Sequence, residues 1–265
     1  MQLTDKRILI TRPAGRADDL CAAIAAQGGI AVHIPMLDVA ALDPHSDAEI
    51  CARTAQQISA LSRYRRVIAI SVNAVHYGLQ QIAAQCALTA LPSGITREIA
   101  WYGIGSATIT EFARHGIEAR GGSLAMSSEA LLALPELQTV AGENILILRG
   151  VGGRETLAAR LRARGAHVDY AECYRRVAPQ LDSAQTALLQ MHQFAAVCVN
   201  SAETLHNLAQ LANADTLIQL QRSALIVPSA RVAEEAAGLG FTHVKIALNA
   251  STAATLQALG EIKSD

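Results

Sequence analysis

The chain has 265 residues, of which 51% are hydrophobic and 17% charged, and its formal net charge is -1. This composition is typical of a globular protein with a buried core and argues against a disordered chain. The small net charge provides no long-range attraction to nucleic acid or to an anionic membrane, so neither is expected as a partner.

The N-terminal sequence and the distribution of cysteines indicate the cellular compartment of the protein. Only a short apolar run precedes Thr11, unlike the core of a signal peptide, and no stretch approaches the roughly 18 apolar residues of a membrane span. The cysteines are odd in number and widely separated, at Cys21, Cys51, Cys86, Cys173 and Cys198. We expect them to be small apolar fillers in a reducing cytoplasm, where the protein is predicted to reside.

Short apolar runs alternate with amphipathic segments along the chain. The predicted strands are RILIT, AVHIP, RVIAIS, IAWYGI, NILIL, HVDYAE, AAVCVN, ALIVP and HVKIAL. The predicted helices span 16–27, 74–85, 107–115, 154–164, 202–211 and 231–238. Several end at a glycine, which favours the left-handed cap, at Gly28, Gly116, Gly165 and Gly240. This alternation predicts an α/β fold built on parallel sheets.

The chain also repeats itself. ILITRPAG at 8–15 is matched by ILILRGVG at 145–152, an offset of 137 residues (145 minus 8). AISVNAV and CVNSAET form a second pair, and GIGSAT and IVPSAR form a third. The repeat predicts two similar doubly wound units. Taken in sequence order alone, it predicts two contiguous halves.

Two segments interrupt the α/β alternation at corresponding places in the repeat. They are PMLDVAALDPHS at 35–46 and ECYRRVAPQLD at 172–182. Each follows the second strand of its half, and each contains prolines that resist regular structure. We interpret both segments as interdomain connections.

Polar residues occupy the turns that follow the strands, which is where open α/β sheets bind ligands. Serine and asparagine there could simply cap helices, each contributing about 1 kcal/mol. As a set beside free helix N–H groups, they would form a wall that accepts anions. The candidate substrate-binding residues are Arg12, Ser71, Asn73, Ser106, Thr108, Arg149, Asn200, Ser201 and Ser229.

Arginines outnumber lysines by 19 to 3. A guanidinium holds a carboxylate in fixed geometry better than an ammonium does, although genomic base composition would produce the same bias. Arg12 and Arg149 are singled out because each follows a strand on the predicted ligand side.

Several cofactor and catalytic motifs are missing from the sequence. The histidines and cysteines lack metal-ligand spacing, so no metal is expected. GIGSAT carries only two glycines of the dinucleotide fingerprint, and neither a phosphate loop nor a Gly-x-Ser-x-Gly elbow occurs. Nucleotide cofactors and a hydrolase triad therefore have no anchor in the chain.

Tyr174 lies in the second connection, followed by Arg175 and Arg176. Neighbouring cations would lower the pKa of its phenol, which would then serve as an acid or a hydrogen-bond donor. The alternative is a tyrosine that anchors the connection against one domain.

The ordered set ILITRPAGRADDL, SVNAV, WYGIGSAT, SSEALLALPEL, ILILRGVGGRETLAARLRARGAHVDYAECYRR and VPSARVAEEAAGLGF resembles bacterial uroporphyrinogen-III synthases over about residues 7–259. The resemblance implies an enzyme without a cofactor that cyclises linear hydroxymethylbilane, with loss of water and inversion of the last pyrrole ring, in haem biosynthesis. We expect a monomer that acts on this small-molecule substrate, and a transient contact with hydroxymethylbilane synthase is left open.

The resemblance further implies two doubly wound parallel-sheet domains that are interleaved in sequence, joined by a two-stranded bridge, with a cleft between them. Domain 1 would comprise 1–34 plus 180–265, domain 2 would comprise 42–171, and 35–41 and 172–179 would be the linkers. Tyr174 matches the family tyrosine proposed to assist departure of the hydroxyl, and Thr108 matches a threonine of the same cleft.

The chain departs from the family pattern at one turn. Where many relatives have Gly-x-x-Thr in the unit containing Ser229, this chain has PSAR, with Pro228 and Arg231. Pro228 removes an N–H donor and Arg231 adds a cation, so a threonine role at this turn is not expected. A different class of function is a two-lobed protein that binds a small ligand, either a receptor or a repressor. Such a receptor is expected to carry an export signal and such a repressor a helix-turn-helix, and the sequence shows neither.

Overall fold

The computed structural model describes residues 3–85, 98–121, 128–153, 155–191 and 194–262. The chain forms two compact units. The split unit comprises Met1–Asp38 and Val177–Asp265, and the central unit comprises Val39–Arg176. The chain passes from one unit to the other after Asp38 and after Arg176, within the segments predicted as linkers.

The split unit is a five-stranded sheet covered by helices. Its strands are β1 (Arg7–Ile10), β2 (Ile30–His33), β9 (Ala196–Cys198), β10 (Ala224–Val227) and β11 (Val244–Ile246), in the order β11-β10-β9-β1-β2. All its pairings are parallel. Its helices are α1 (Asp18–Ala26), α7 (Ser183–Gln190), α8 (Ala202–Leu211), α9 (Ala214–Arg222), α10 (Ala230–Gly238) and α11 (Thr252–Gly260).

The central unit has a six-stranded sheet with the order β3-β8-β7-β4-β5-β6. Its strands are β3 (Asp38–Ala41), β4 (Arg66–Ala69), β5 (Ala100–Gly103), β6 (Ala119–Arg120), β7 (Asn144–Gly150) and β8 (His167–Val177). The strands from β4 to β8 pair in parallel. Its helices are α2 (Ala48–Ser59), α3 (Val72–Gln85), α4 (Ser106–Arg114), α5 (Ser128–Leu132) and α6 (Thr156–Ala163), with 3-10 turns at Leu61–Arg63 and Pro135–Leu137.

The strand orders explain the sequence repeat. In the split unit the order β10-β9-β1-β2 corresponds to β5-β4-β7-β8 in the central unit, so each matched pair of sequence segments occupies an equivalent place. The expectation of two contiguous halves is wrong, because β1 pairs on one side with β2 and on the other with β9, a strand of the second half. β3 and β8, which carry the two passages between the units, are neighbours in the central sheet.

Both faces of each sheet are buried, as parallel sheets require. In the central unit one face packs against α3 and α4, with Val67, Ala69, Val75 and Phe112 in its core, which we call the α3-side core. The opposite face packs against α6, with Ile68, Ile147, Leu157 and Leu161 in its core, which we call the α6-side core. Two further clusters cover the faces of the split sheet.

The nine predicted strands and six predicted helices are all present where the structure describes them. β3, β6 and several helices, including α2 and α11, were not predicted. Gly28 follows α1 with a φ of 79°, which confirms the left-handed end predicted there. Two residues of the predictions, Cys86 and Arg154, lie outside the described residues.

Two further features concern the chain as a whole. No described helix is long and apolar enough to cross a membrane. The described cysteines, Cys21, Cys51, Cys173 and Cys198, are free thiols, and the last two are buried. Burial raises the pKa of both Cys173 and Cys198 to about 12, so these two thiols stay protonated and apolar in character.

Candidate functional site

The strand order of each sheet reverses its direction of growth at one point. In the central unit this point lies between β4 and β7, and in the split unit it lies between β9 and β1. Ligands of open α/β proteins bind outside the carboxyl ends of the strands at such a switch point. Ser71 follows β4 and Asn200 follows β9, so predicted site residues lie beside both switch points.

Tyr174 and Ser71 meet at the switch point of the central unit. The Tyr174 hydroxyl lies 3.0 Å from Ser71 Oγ. The same Oγ accepts a hydrogen bond from the backbone N–H of Ala74 at 3.1 Å, so Ser71 also caps α3. Because Oγ has already accepted one hydrogen, it is free to donate its own to the phenol oxygen. The helix cap is therefore observed, and it leaves room for the site role of Ser71, which stays a prediction.

A β-bulge aims Tyr174 at Ser71. Arg149 pairs with Glu172 and Gly150 pairs with Tyr174, which leaves Cys173 without a partner on β7. Simple alternation would place Tyr170 and Tyr174 on the same face. Instead Tyr174 belongs to the α3-side core, whereas Tyr170 packs against the α6-side core. Bulges commonly re-aim side chains in this way near active sites.

Two residues that sequence reasoning missed hold the Tyr174 ring. A Cβ on Gly150 would lie 2.7 Å from Tyr174 Cε2, so only glycine lets the ring approach the backbone of β7. Tyr77, on α3, stacks on the Tyr174 ring with centroids 5.7 Å apart. Gly150 lies in the sequence repeat, where it is matched with Pro13. The repeat does not show why a glycine is needed there, because that need arises from the bulge in β8.

Arg175, which follows Tyr174 in the chain, has its own carboxylate partner in the central unit. The Arg175 guanidinium forms an ion pair with Asp47 Oδ1 at 2.5 Å. Asp47 is buried and also accepts the backbone N–H of Asp43. Arg175 therefore fixes the segment that leads into α2, because a buried carboxylate requires a charged partner.

Arg149 was predicted to bind substrate, and in the structure its guanidinium is already engaged. Its side chain is only 4% exposed, and Nη1 lies 2.9 Å from Glu155 Oε1. Nη2 donates to the carbonyl of Gly152, and the guanidinium lies 4.5 Å above the Tyr170 ring. Its guanidinium is thus held within the chain in this arrangement, and substrate binding by Arg149 stays a prediction.

Ser106, Thr108 and Asn73 occupy the first turns of two helices. Ser106 is exposed at the start of α4, and Asn73 is half-buried in the first turn of α3. Thr108 is 3% exposed, and its hydroxyl donates to the carbonyl of Ile104 at 2.7 Å. With its hydrogen engaged and its side chain buried, Thr108 does not present a donor to a carboxylate, so direct contact with substrate is not supported in this arrangement.

In the split unit, Asn200 and Ser201 precede α8. Ser201 Oγ accepts the N–H of Thr204 at 3.2 Å, completing a capping box. Thr204 Oγ1 also lies 3.3 Å from Asn200 Oδ1, so one threonine links both predicted residues. Ser229 precedes α10, and its hydroxyl makes no capping hydrogen bond. Of the two predicted serines of the split unit, Ser201 therefore uses its hydroxyl to cap a helix and Ser229 does not.

Arg12 follows β1, as predicted, but its guanidinium binds within the protein. It donates to Thr252 Oγ1 and to the carbonyl of Ala250, both at 2.9 Å, and so ties the turn to the start of α11. Burial lowers the pKa of Arg12, although the guanidinium remains charged. Arg12 therefore links these two elements, and substrate binding by Arg12 stays a prediction.

At the turn where the chain departs from the family pattern, Arg231 is exposed. Its guanidinium pairs with Glu235 one turn along α10 at 2.6 Å. An exposed pair at this spacing contributes only a few tenths of a kcal/mol. Elsewhere, no group of three or more His, Cys, Asp or Glu among the residues that the structure describes could hold a metal ion.

Comparison with known proteins gives consistent relatives. The family described as uroporphyrinogen-III synthase HemD matches residues 18–257. The uroporphyrinogen-III synthase of Escherichia coli strain K12 is 34% identical over 263 residues, covering 95% of this chain and 99% of the relative. That of Proteus mirabilis is 35% identical over 205 residues, covering 76% of this chain and 96% of the relative.

Solved structures show the same fold. The uroporphyrinogen-III synthetase of Helicobacter pylori 26695 aligns over 97% of this chain and 100% of its own, with a TM-score of 0.57 and 13% identity. A mutant uroporphyrinogen III synthase of Thermus thermophilus aligns over 97% and 100%, with a TM-score of 0.51 and 15% identity. At these identities the likeness speaks for the architecture alone.

Proposed function

The chain belongs to the uroporphyrinogen-III synthase family, and we propose that Tyr174 and Ser71 of the central unit assist this family's reaction. The protein is a cyclising lyase of tetrapyrrole and haem biosynthesis. It converts linear hydroxymethylbilane to uroporphyrinogen III, with loss of water and inversion of the last pyrrole ring. The observation that carries the site assignment is the hydrogen bond between the Tyr174 hydroxyl and Ser71 Oγ.

Loss of the terminal hydroxyl as water requires a proton or a strong hydrogen bond at the departing oxygen. Ser71 Oγ accepts the Ala74 N–H, and either hydroxyl can be the donor in the hydrogen bond between Ser71 and Tyr174; we propose that Ser71 donates to the phenol oxygen when substrate is bound. The phenol hydrogen of Tyr174 is then available to the substrate. Such donation by a positioned side chain typically contributes about 10²–10⁴-fold to a rate. We therefore assign Tyr174 as the donor and Ser71 as the residue that orients it.

The substrate carries eight carboxylates, as the resemblance implies, and helix N-termini are suited to bind them. α3 begins directly after Ser71 and is 14 residues long, so its first turn offers backbone N–H groups and a positive dipole end. Ser106 is exposed at the start of α4, and Ser229 has a hydroxyl free of capping at the start of α10. We propose these three helix starts as carboxylate-binding positions, with Asn73, Asn200 and Ser201 beside them.

We also propose where the protein is located, its oligomeric state and the boundaries of its domains. The free thiols among the described residues agree with a reducing cytoplasm. We propose a monomer that receives its unstable substrate through a transient contact with hydroxymethylbilane synthase. We also propose 1–34 plus 180–265 and 42–171 as the functional domains, with 35–41 and 172–179 as linkers; both passages of the chain lie inside these linkers.

The test is the isomer that the protein makes. Purified protein is given freshly prepared hydroxymethylbilane, the products are oxidised, and isomers I and III are separated by chromatography. We expect predominantly isomer III, whereas spontaneous closure gives isomer I. A 100-fold preference corresponds to about 2.7 kcal/mol of differential transition-state stabilisation. An isomer ratio equal to that without protein would overturn the assignment and favour binding without turnover.

A further inference from the structure

A cavity of about 360 Å³ opens in the central unit at the carboxyl ends of β4, β5 and β7. Its walls combine apolar and polar surface, and Ile70, Ile104 and Ile147 contribute apolar surface from these strands or the turns after them. Arg149 and Arg176 line it as well, together with Glu129. A small chamber that combines apolar surface with a few charged groups is typical of a ligand site, and pockets of roughly 300–1,000 Å³ hold small molecules.

Glu155 forms an ion pair with Arg149 at the wall of this cavity. Its Oε1 lies 2.9 Å from Arg149 Nη1, and its Oε2 accepts a hydrogen bond from the Tyr170 hydroxyl. Both oxygens are therefore held as a bound carboxylate would be. The hydrogen bonds from Tyr170 and Arg149 lower the pKa of Glu155, so the group is ionised at neutral pH.

The two sides of this ion pair differ in exposure. The Arg149 side chain is 4% exposed, whereas that of Glu155 is 60% exposed. Arg149 is fixed by the carbonyls of Gly150 and Gly152 and by the Tyr170 ring, so it stays in place when the carboxylate leaves. Glu155 can instead turn into water at little cost, because a carboxylate at the surface is solvated there.

We propose that this cavity receives one carboxylate-bearing pyrrole ring of the substrate, and that Glu155 is an internal substitute for the substrate carboxylate. The inference rests on the proposed function. The isoleucine side chains of the wall suit the pyrrole ring, the charged groups suit its carboxylates, and the volume at the lower end of the ligand range suits one substituted ring rather than the four-ring chain. When Glu155 leaves, the buried Arg149 guanidinium loses its carboxylate, and a buried guanidinium requires another in its place.

The test compares Glu155→Gln with the wild type. The variant keeps the shape of the side chain but removes the competing charge. We expect calorimetric titration with a monopyrrole that bears one acetate and one propionate group to give about two- to fivefold tighter binding, the size of a partly exposed ion pair. Glu235→Gln is the matched control, because Glu235 pairs with Arg231 on α10 of the split unit, and its affinity should equal that of the wild type.

A second measurement follows Glu155 itself in the wild-type protein. In wild-type protein labelled with ¹³C at the glutamate carboxyl carbon, the Glu155 signal, assigned by its loss in Glu155→Gln, should shift when the monopyrrole binds. Binding without that shift, or a folded Glu155→Gln that binds no tighter, would overturn the inference. Formation of isomer III by the same wild-type preparation is scored separately, so that failure of this inference is distinguished from failure of the proposed function.

Discussion

Tyr174 is 8% exposed, and among the described residues its hydroxyl has one hydrogen-bond partner, Ser71 Oγ, at 3.0 Å. A phenol oxygen can take part in more than one hydrogen bond, so the hydroxyl keeps capacity for a ligand. The arginines behave in the opposite way. Arg12, Arg149 and Arg175 are each partnered within the chain, and for Arg149, whose side chain is 4% exposed, burial without a partner would be strongly unfavourable.

Tyr174→Phe removes the hydroxyl and leaves the ring in place. We expect the rate of uroporphyrinogen III formation to fall about 100-fold, within the range for loss of a positioned proton donor, while circular dichroism remains unchanged. Tyr77→Phe is the control, since its hydroxyl donates to the carbonyl of Val39 at 3.3 Å, away from Ser71. Wild-type turnover in Tyr174→Phe would remove Tyr174 from any essential donor role.

At the scale of elements, local signals and long-range contacts decide different features. Helix starts were predictable, because serine and asparagine caps are local: α8 begins at Ala202, directly after Ser201. The bulge in β8 was not predictable, because it exists only through the pairing of β8 with β7. The edge strand β3 lies in a proline-flanked segment and was interpreted as an irregular connection.

Ser201 and Ser229 form a matched pair of helix starts. Ser201→Ala should lower the free energy of unfolding by about 1 kcal/mol, because it removes a capping hydrogen bond. Ser229→Ala should change stability much less, because its hydroxyl does not cap α10, yet it should raise KM if the hydroxyl binds a substrate carboxylate. Urea denaturation and steady-state kinetics test both; equal losses of stability would contradict the assignment.

Gly150→Ala tests the bulge and the aim of Tyr174. The added Cβ would lie 2.7 Å from the ring, so the tyrosine must move away from Ser71. We expect turnover to fall about 10–100-fold, since small displacements of a positioned group have effects of this size. Gly238→Ala is the control, because its Cβ would meet nothing within 4 Å. Wild-type turnover in Gly150→Ala would show that the ring position is not needed.

At the scale of the whole molecule, the central unit is continuous in sequence and the split unit is not. Both faces of the central sheet are buried by helices of the same unit. The split unit instead needs β1 to pair with β9, which begins 186 residues further along the chain (196 minus 10). Closing such a long loop is unfavourable in entropy, so the split unit depends on contacts that form late.

A fragment of residues 39–176 should therefore fold alone. We expect it to show α/β circular dichroism and dispersed amide resonances. In a fragment of residues 1–176, the added residues should remain unstructured, because β1 lacks β9. Amide resonances assigned to 7–33 provide the comparison, and an unfolded 39–176 fragment beside a folded intact chain would contradict the autonomy of the central unit.

The alternation of strands and helices, the equivalence of β1 with β7 and of β4 with β9, and the polar turns after the strands were all readable from the amino-acid order. These features depend on hydrophobic periodicity and local caps, which are written within a few residues. Only the folded structure shows that β1 pairs with β9, that a bulge turns Tyr174 toward Ser71, and that Glu155 forms an ion pair with Arg149. These depend on partners brought together from distant parts of the chain or across a turn, and no local pattern specifies which partner a strand or a charge will find.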